Sequence, residues 1–120
     1  MGEVKLRYAV LWHNEIAEPH YDFLVETFPG SDLATWRSPA WPIEQPTVLK
    51  RLKDHRRIYL DYQGDLAGQR GRVERVAEGT CAVDIGEGAL WMIELFNSPT
   101  QLIFRQIQGY EWEAIVDKRS

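Results

Sequence analysis

The sequence predicts an all-β, mostly antiparallel fold in a single domain spanning residues 1–120, a small barrel or sandwich of about eight strands. Three observations predict it. Apolar and polar residues alternate with period two along most of the chain, as half-buried strands do. Turn residues return at intervals of about 8–12 positions. Only Thr47 to Lys53 reads as a helix, of one or two turns, so a layered helical architecture is excluded.

The elements follow in order. Val4, Leu6, Tyr8, Val10 and Trp12 alternate with Lys5, Arg7, Ala9 and Leu11, ending at His13. Beyond Pro19, His20 to Thr27 alternates again, with Tyr21, Phe23 and Val25 on one face. Pro29-Gly30-Ser31-Asp32 is a turn signal, and Leu33 to Arg37 reads as a short returning strand. Ser38 to Pro46 holds Pro39, Pro42 and Pro46, which remove backbone donors, and predicts an extended loop anchored by Trp36 and Trp41. Arg56 to Gln63 reads as a strand, with Ile58, Leu60 and Tyr62 set against Tyr59 and Asp61. Gly64, Gly68 and Gly71 punctuate a loop. Arg72 to Ala77, Thr80 to Ile85, Ala89 to Phe96, Gln101 to Gln108 and Tyr110 to Val116 complete the strands. Ala89 to Phe96 is almost continuously apolar, which predicts cover on both faces, and Tyr110, Trp112, Ala114 and Val116 form an expected inward face.

Composition narrows the function classes. The formal net charge is −4 and the sequence pI is near 5.3, against generic affinity for nucleic acid. One cysteine, Cys81, rules out an internal disulfide, and its alternation with Val83 and Ile85 predicts a small buried hydrophobe. The start MGEVKLRYAV lacks the apolar stretch of a signal peptide, and no run approaches the ~20 residues of a membrane helix, so a cytoplasmic location with no membrane partner is expected. Lys50, Arg51, Lys53, Arg56 and Arg57 crowd around His55, and Arg70, Arg72 and Arg75 follow. Such a cluster on an acidic chain either guides one anionic group to one place or is simply a solvated face.

The three histidines carry the sharpest chemistry. His20 and Asp22 are two apart on an expected strand, so both side chains leave one face, the polar one. His13 ends the preceding strand. If these strands are neighbours, two imidazoles and a carboxylate meet, a donor set suited to a first-row divalent ion with open positions. The alternative is a solvent-facing polar pair beside a strand terminus.

The run His20-Tyr21-Asp22-Phe23-Leu24-Val25-Glu26, preceded by His13, resembles the H…HYDxRLE signature of the 3′-phosphoesterase domain of bacterial DNA ligase D. Leu33-Ala34-Thr35-Trp36 with Pro39 and Pro42 is similar to that family's LxSWxxPxxP stretch. Asp54-His55 with Tyr59, then Tyr62-Gln63-Gly64, is similar to its DHxxxY…FEG segment. Gly68, Gly71 and Val73 match its glycine-rich turn, and Gly79 and Trp112 fall where it has a late glycine and tryptophan. The resemblance implies a compact β-barrel that uses manganese to heal broken 3′ ends, removing a terminal ribonucleotide and then the 3′-phosphate. It implies that His13, His20 and Asp22 hold the metal, that His55 contacts the scissile phosphate, and that Tyr59 is the nearby active-site tyrosine. Zinc, cobalt and iron suit the same donors. Nucleic-acid 3′ ends are the expected partner, with ligase or polymerase supplied separately.

The chain also departs from that pattern. The family's arginine in HYDxRLE is Leu24 here, and leucine cannot clamp a phosphate bidentately. Lys53 replaces an acidic residue, Ala40 and Trp41 replace the stretch holding a lysine between the prolines, and Gln69-Arg70 replaces a tyrosine. The connection from His13 to His20 is one residue longer. Arg37, Arg56, Arg57 and Arg70 are the candidates to replace the lost clamp. Two other classes of function stay open beside the phosphoesterase: a catalytically weakened metal-binding module that recognises DNA ends or repair partners, and an interaction domain in which Trp36 and Trp41 line a groove. For Tyr59 and His55 the plain alternatives are a barrel aromatic and a basic surface turn.

Overall fold

The computed structural model describes residues 5–87 and 89–118. Nine strands form: β1 (Leu6–Asn14), β2 (His20–Glu26), β3 (Leu33–Ser38), β4 (Thr47–His55), β5 (Gly64–Asp65), β6 (Arg72–Gly86), β7 (Leu90–Leu95), β8 (Thr100–Gln108) and β9 (Glu111–Lys118). Eight close into a barrel in the order β1-β2-β3-β4-β9-β8-β7-β6, with β6 returning to β1, and β5 lies outside against the start of β6. Every ladder is antiparallel. Closure removes the unpaired backbone edges an open sheet would present. Val4 lies outside the described residues. No helix among those described is long and apolar enough to cross a membrane.

The barrel interior is filled by the expected Tyr8, Val10, Phe23, Val25, Trp112 and Ala114, together with Ile93, Leu102 and Phe104. Trp36 is at its centre, fully buried, with Trp91, Phe104 and Trp112 edge-on at centroid distances of 4.9, 5.0 and 5.4 Å. Edge-to-face contacts match the positive ring edge to a negative ring face. The Arg51 guanidinium sits 4.6 Å from the Trp36 ring centroid, a cation–π contact, and donates to the Leu52 carbonyl at 2.8 Å. Cys81 is buried as expected, and desolvation, aided by the charge of Glu26, pushes its thiol up to about 12.

Several expectations are corrected. Thr47 to Lys53 is not helical but the first part of β4, which pairs with β3 and β9. Leu49 is buried between exposed Val48 and Lys50, a period of two that the spacing of Leu49 and Leu52 disguises as helical. Arg56 to Gln63 is not a strand: Arg57–Leu60 is a 3-10 turn, in which Leu60 alone is buried. Arg72 to Ala77 and Thr80 to Ile85 are one continuous strand, β6. Gly79 lies within it, where a Cβ would meet the Asn97 side chain at 2.9 Å and the Tyr8 ring at 3.1 Å. In β7 only Trp91, Ile93 and Leu95 are buried, since no second layer covers Met92 and Glu94. Tyr110 is 73% exposed in the turn before β9 rather than facing inward. Trp36 is a core residue and lines no groove, while Trp41 packs against the core near Phe23.

Strands β1, β2 and β3 are buried on both faces because a flap crosses their outside. The flap comprises the 3-10 turn, β5 and a second 3-10 turn, Ala67–Gln69. Leu60 and Val73, with Tyr59, Tyr62 and Leu66, cover Ala9, Leu11, Leu24 and Leu33. Arg57 anchors the flap to Glu26 through a short charged contact and donates to the Ser31 carbonyl at 3.0 Å. Arg7 reaches Asp61 at 2.9 Å, and Arg75 donates to the Leu60 carbonyl at 3.3 Å.

Burial works to raise the Glu26 pKa, but the hydrogen bond from Arg57 and those from the Arg7 and Gly30 amides outweigh it and hold the carboxyl below its ordinary value. A depressed folded-state pKa stabilises the fold above the unfolded value, and that contribution is lost as pH falls through the folded one. Glu26→Gln should cost about 1–3 kcal/mol at neutral pH. Its urea midpoint should also fall less steeply than that of the wild type across the acid carboxylate range. Parallel profiles would show that the carboxylate does not anchor the flap.

Candidate metal centre

Register assembles the centre. In the β1–β2 ladder His13 stands directly opposite His20, and Leu11 opposite Asp22. Directly paired residues share a face, and residues two apart on one strand share it too. Among the described residues, His13, His20 and Asp22 offer ligand atoms that all lie within 4.8 Å of one another. His20 Nε2 is 3.4 Å from Asp22 Oδ1, and His13 Nδ1 is 4.0 Å from Asp22 Oδ2. The face is polar, as expected, but not solvent-facing: His20 is 6% exposed and Asp22 4%.

The main chain orients both rings. His13 Nε2–H donates to the Arg70 carbonyl at 2.7 Å, and His20 Nδ1–H donates to the Glu18 carbonyl at 2.9 Å. Each ring thereby points its other nitrogen, a lone pair in that tautomer, toward the carboxylate. His20 Nε2 and Asp22 Oδ1 are buried with no hydrogen-bond partner among the described residues. In the neutral tautomers the two ring nitrogens and the carboxylate are acceptors turned toward one another, an arrangement that a cation resolves. Donors sharing one ion at about 2.1 Å stand no more than about 4.2 Å apart, so a small side-chain rotation completes the set. The donor set therefore fits a divalent ion.

A cavity of about 420 Å³ opens over His13 and Asp22 and is lined further by Lys53, His55, Tyr59 and Arg70. Arg56 and Asp54 stand at it as well, and Leu66 and Val73 supply an apolar wall. His55 Nδ1–H donates to the Lys53 carbonyl at 3.0 Å, which fixes the ring and leaves Nε2 uncommitted. The Tyr59 ring meets it edge-on with centroids 5.8 Å apart. Five of the sequence-selected residues (His55, Tyr59, Arg56, Arg70 and the ligand set's own His13) thus border one space with Asp22.

The remaining arginines are elsewhere. Arg57 is committed to Glu26 and the Ser31 carbonyl, and does not line this cavity. Arg37, cross-strand neighbour of Asp22, lines a separate cavity that includes His20. Arg51, part of the basic cluster, covers the core tryptophans. Leu24 is fully buried under the flap, so the position that resembles the family's arginine carries packing here. Sequence reading missed the Arg70 and Glu18 carbonyls that hold the imidazoles, which no side-chain pattern announces. It placed Gly71 in a glycine-rich turn but not beside the centre: at φ +89 its Cβ would fall 2.5 Å from the Asn14 carbonyl oxygen and 3.2 Å from His13 Nε2.

Comparison with protein-family models and with curated proteins finds no match to this chain.

Two outcomes follow from the centre. Titration calorimetry should show one manganese or zinc ion bound per chain, with binding lost in His20→Ala; equal binding by the variant would remove His20 from the ligand set. Leu24→Arg should destabilise the fold by at least about 3 kcal/mol, because it forces an unpaired charge into an apolar cluster. Leu24→Met should cost less than about 1.5 kcal/mol by chemical denaturation.

Proposed function

We propose that this chain is a divalent-metal-dependent phosphoesterase that acts on nucleic-acid 3′ ends, removing a 3′-phosphate or a 3′-terminal ribonucleotide. The reading rests on one observation: two imidazoles and a carboxylate, each ring set by a main-chain carbonyl, bring ligand atoms within 4.8 Å of one another beside a cavity holding His55, Tyr59, Arg56 and Arg70. The motif resemblance adds the substrate class, DNA repair as the setting in the cytoplasm, and manganese as the preferred ion.

His13, His20 and Asp22 would hold the ion, which when bound supplies Lewis acidity toward a phosphoryl oxygen. Arg56, Arg70 and Lys53 draw the phosphate into the cavity by charge, and at low ionic strength that attraction reaches furthest. His55 Nε2 is the group positioned to pass a proton to the leaving oxygen. The Tyr59 hydroxyl holds a phosphate oxygen, and its ring keeps His55 in place. Leu66 and Val73 keep water from one side of the site, which strengthens every charge interaction within it.

Leu24 and the committed Arg57 favour one second reading, a metal-binding module with weakened turnover that recognises 3′ ends or a separate ligase or polymerase. A single assay separates the two. Manganese-dependent release of phosphate or nucleoside from a 3′-phosphate or 3′-ribonucleotide primer-template should occur and vanish in His20→Ala. His55→Ala should slow it by about 10²–10⁴-fold with manganese affinity unchanged. Manganese binding with no release from either substrate would replace the enzyme by the binding module.

A further inference from the structure

Glu26 is a buried carboxylate, 3% exposed, that stands opposite Leu33, and Leu33 stands opposite His55. One cross-strand row therefore joins Glu26 to the histidine that borders the phosphate cavity. Past His55 the chain leaves β4 through Arg56, and the Arg57 side chain reaches back to Glu26 and to the Ser31 carbonyl at 3.0 Å. Arg57 does not line the cavity, yet His55, Arg56 and Tyr59 on either side of it all do.

The anchor is rigid in its own right. Glu26 Oε1 accepts from the Arg7 amide at 2.7 Å and Oε2 from the Gly30 amide at 3.1 Å, so β1 and the turn before β3 fix the carboxylate independently of Arg57. Fastening the flap alone does not call for this chemistry. Leu60 already fastens it by apolar burial, and a buried ion pair gains little net stability over apolar packing of similar volume. What a charged, hydrogen-bonded pair adds is direction, because guanidinium and carboxylate meet at one distance and angle whereas apolar surfaces slide. The far end of the flap is set separately. Arg70 adjoins β6 there, and the Leu66 amide donates to the Gly71 carbonyl at 2.8 Å.

From this we infer that Arg57, held by Glu26, is a positioning residue for the phosphate-facing wall: the pair sets His55, Arg56 and Tyr59 without touching substrate. The inference rests on the phosphate cavity of the proposed function and deepens it. Arg57 thus serves the site from which its geometry excludes it as a clamp. The metal ligands depend on the other end of the flap, through the Arg70 carbonyl, so the pair governs the phosphate and not the ion.

The test reads the preference for a 3′-phosphate: the affinity for a fluorescein-labelled primer-template whose primer ends in phosphate, divided by that for the same duplex ending in hydroxyl. Anisotropy at low salt with chelator present measures it without turnover. Wild type should prefer the phosphate at least about tenfold, as charged hydrogen bonds do. Arg57→Met and Glu26→Gln should each cut the preference to about twofold or less, and the double variant should be no worse than either. The two variants separate position from charge, because a direct electrostatic role of Arg57 predicts that Glu26→Gln, which removes a negative charge, retains or raises the preference. Arg57→Lys, which keeps a charged donor for Glu26 and the Ser31 carbonyl, should restore it. Ile93→Val, which loosens the barrel core away from the flap, should leave it unchanged. The Arg57 side chain is 37% exposed, so its variants carry the test if Glu26→Gln does not fold. No phosphate preference in the wild type, an undiminished one in Arg57→Met or a raised one in Glu26→Gln would overturn the inference. So would an Arg57→Lys no better than Arg57→Met, or an equal loss in Ile93→Val. Manganese-dependent turnover with wild-type kcat and KM in Arg57→Met would remove the positioning role and leave the phosphoesterase standing. A preference lost in both variants of a chain that turns nothing over would keep the positioning role and replace the enzyme by the binding module.

Discussion

The antiparallel register between β1 and β2 is the constraint on which the rest depends. His13 opposes His20 and Leu11 opposes Asp22, so one slip of the ladder would send His13 to the face opposite His20 and Asp22. The register is held from within by Tyr8, Val10, Phe23 and Val25 in the barrel core and from without by Ala9, Leu11 and Leu24 under the flap. Burial on both faces is what makes it single-valued. A strand with one solvated face tolerates a shift more readily, whereas here each shift would place polar groups in one core or the other.

That double burial also explains why an apolar residue, Leu24, stands beside the ligand set. The site faces outward from the barrel and is roofed by a flap whose Leu60 and Tyr59 need an apolar floor. A floor of Leu24 and Leu11 supports the roof, and the roof in turn delivers the Arg70 carbonyl to His13 and places Tyr59 against His55. Packing and electrostatics compete for the same position, and packing holds it. Positive charge is supplied instead from the cavity rim, by Arg56, Arg70 and Lys53.

Much of this was legible in the sequence because strands write their faces at period two. The inward set of β1 and β2, the buried Cys81 and the meeting of His13, His20 and Asp22 all follow from alternation and from hairpin neighbours pairing. Alternation failed where something other than one core set the pattern. Thr47 to Lys53 places Arg51 inward, where a guanidinium on tryptophan counts as apolar cover, so the segment looked helical. Leu60 and Tyr62 alternate with Tyr59 and Asp61 as a strand would, yet Leu60 serves a satellite cluster from a single 3-10 turn. Tyr110 continues the Trp112 alternation in sequence, but the chain has already entered a turn. The hydrogen bonds that orient the imidazoles come from carbonyls, which every residue possesses and no residue type advertises.

Gly71 carries a last consequence. The flap comes so close to the end of β1 that only a hydrogen atom fits between its backbone and the Asn14 carbonyl, next to the imidazole of His13. A methyl group at position 71 would lift the roof off its imidazole. That bare α-carbon, far along the chain from either histidine, is therefore as much a part of the metal centre as the groups that would touch the ion.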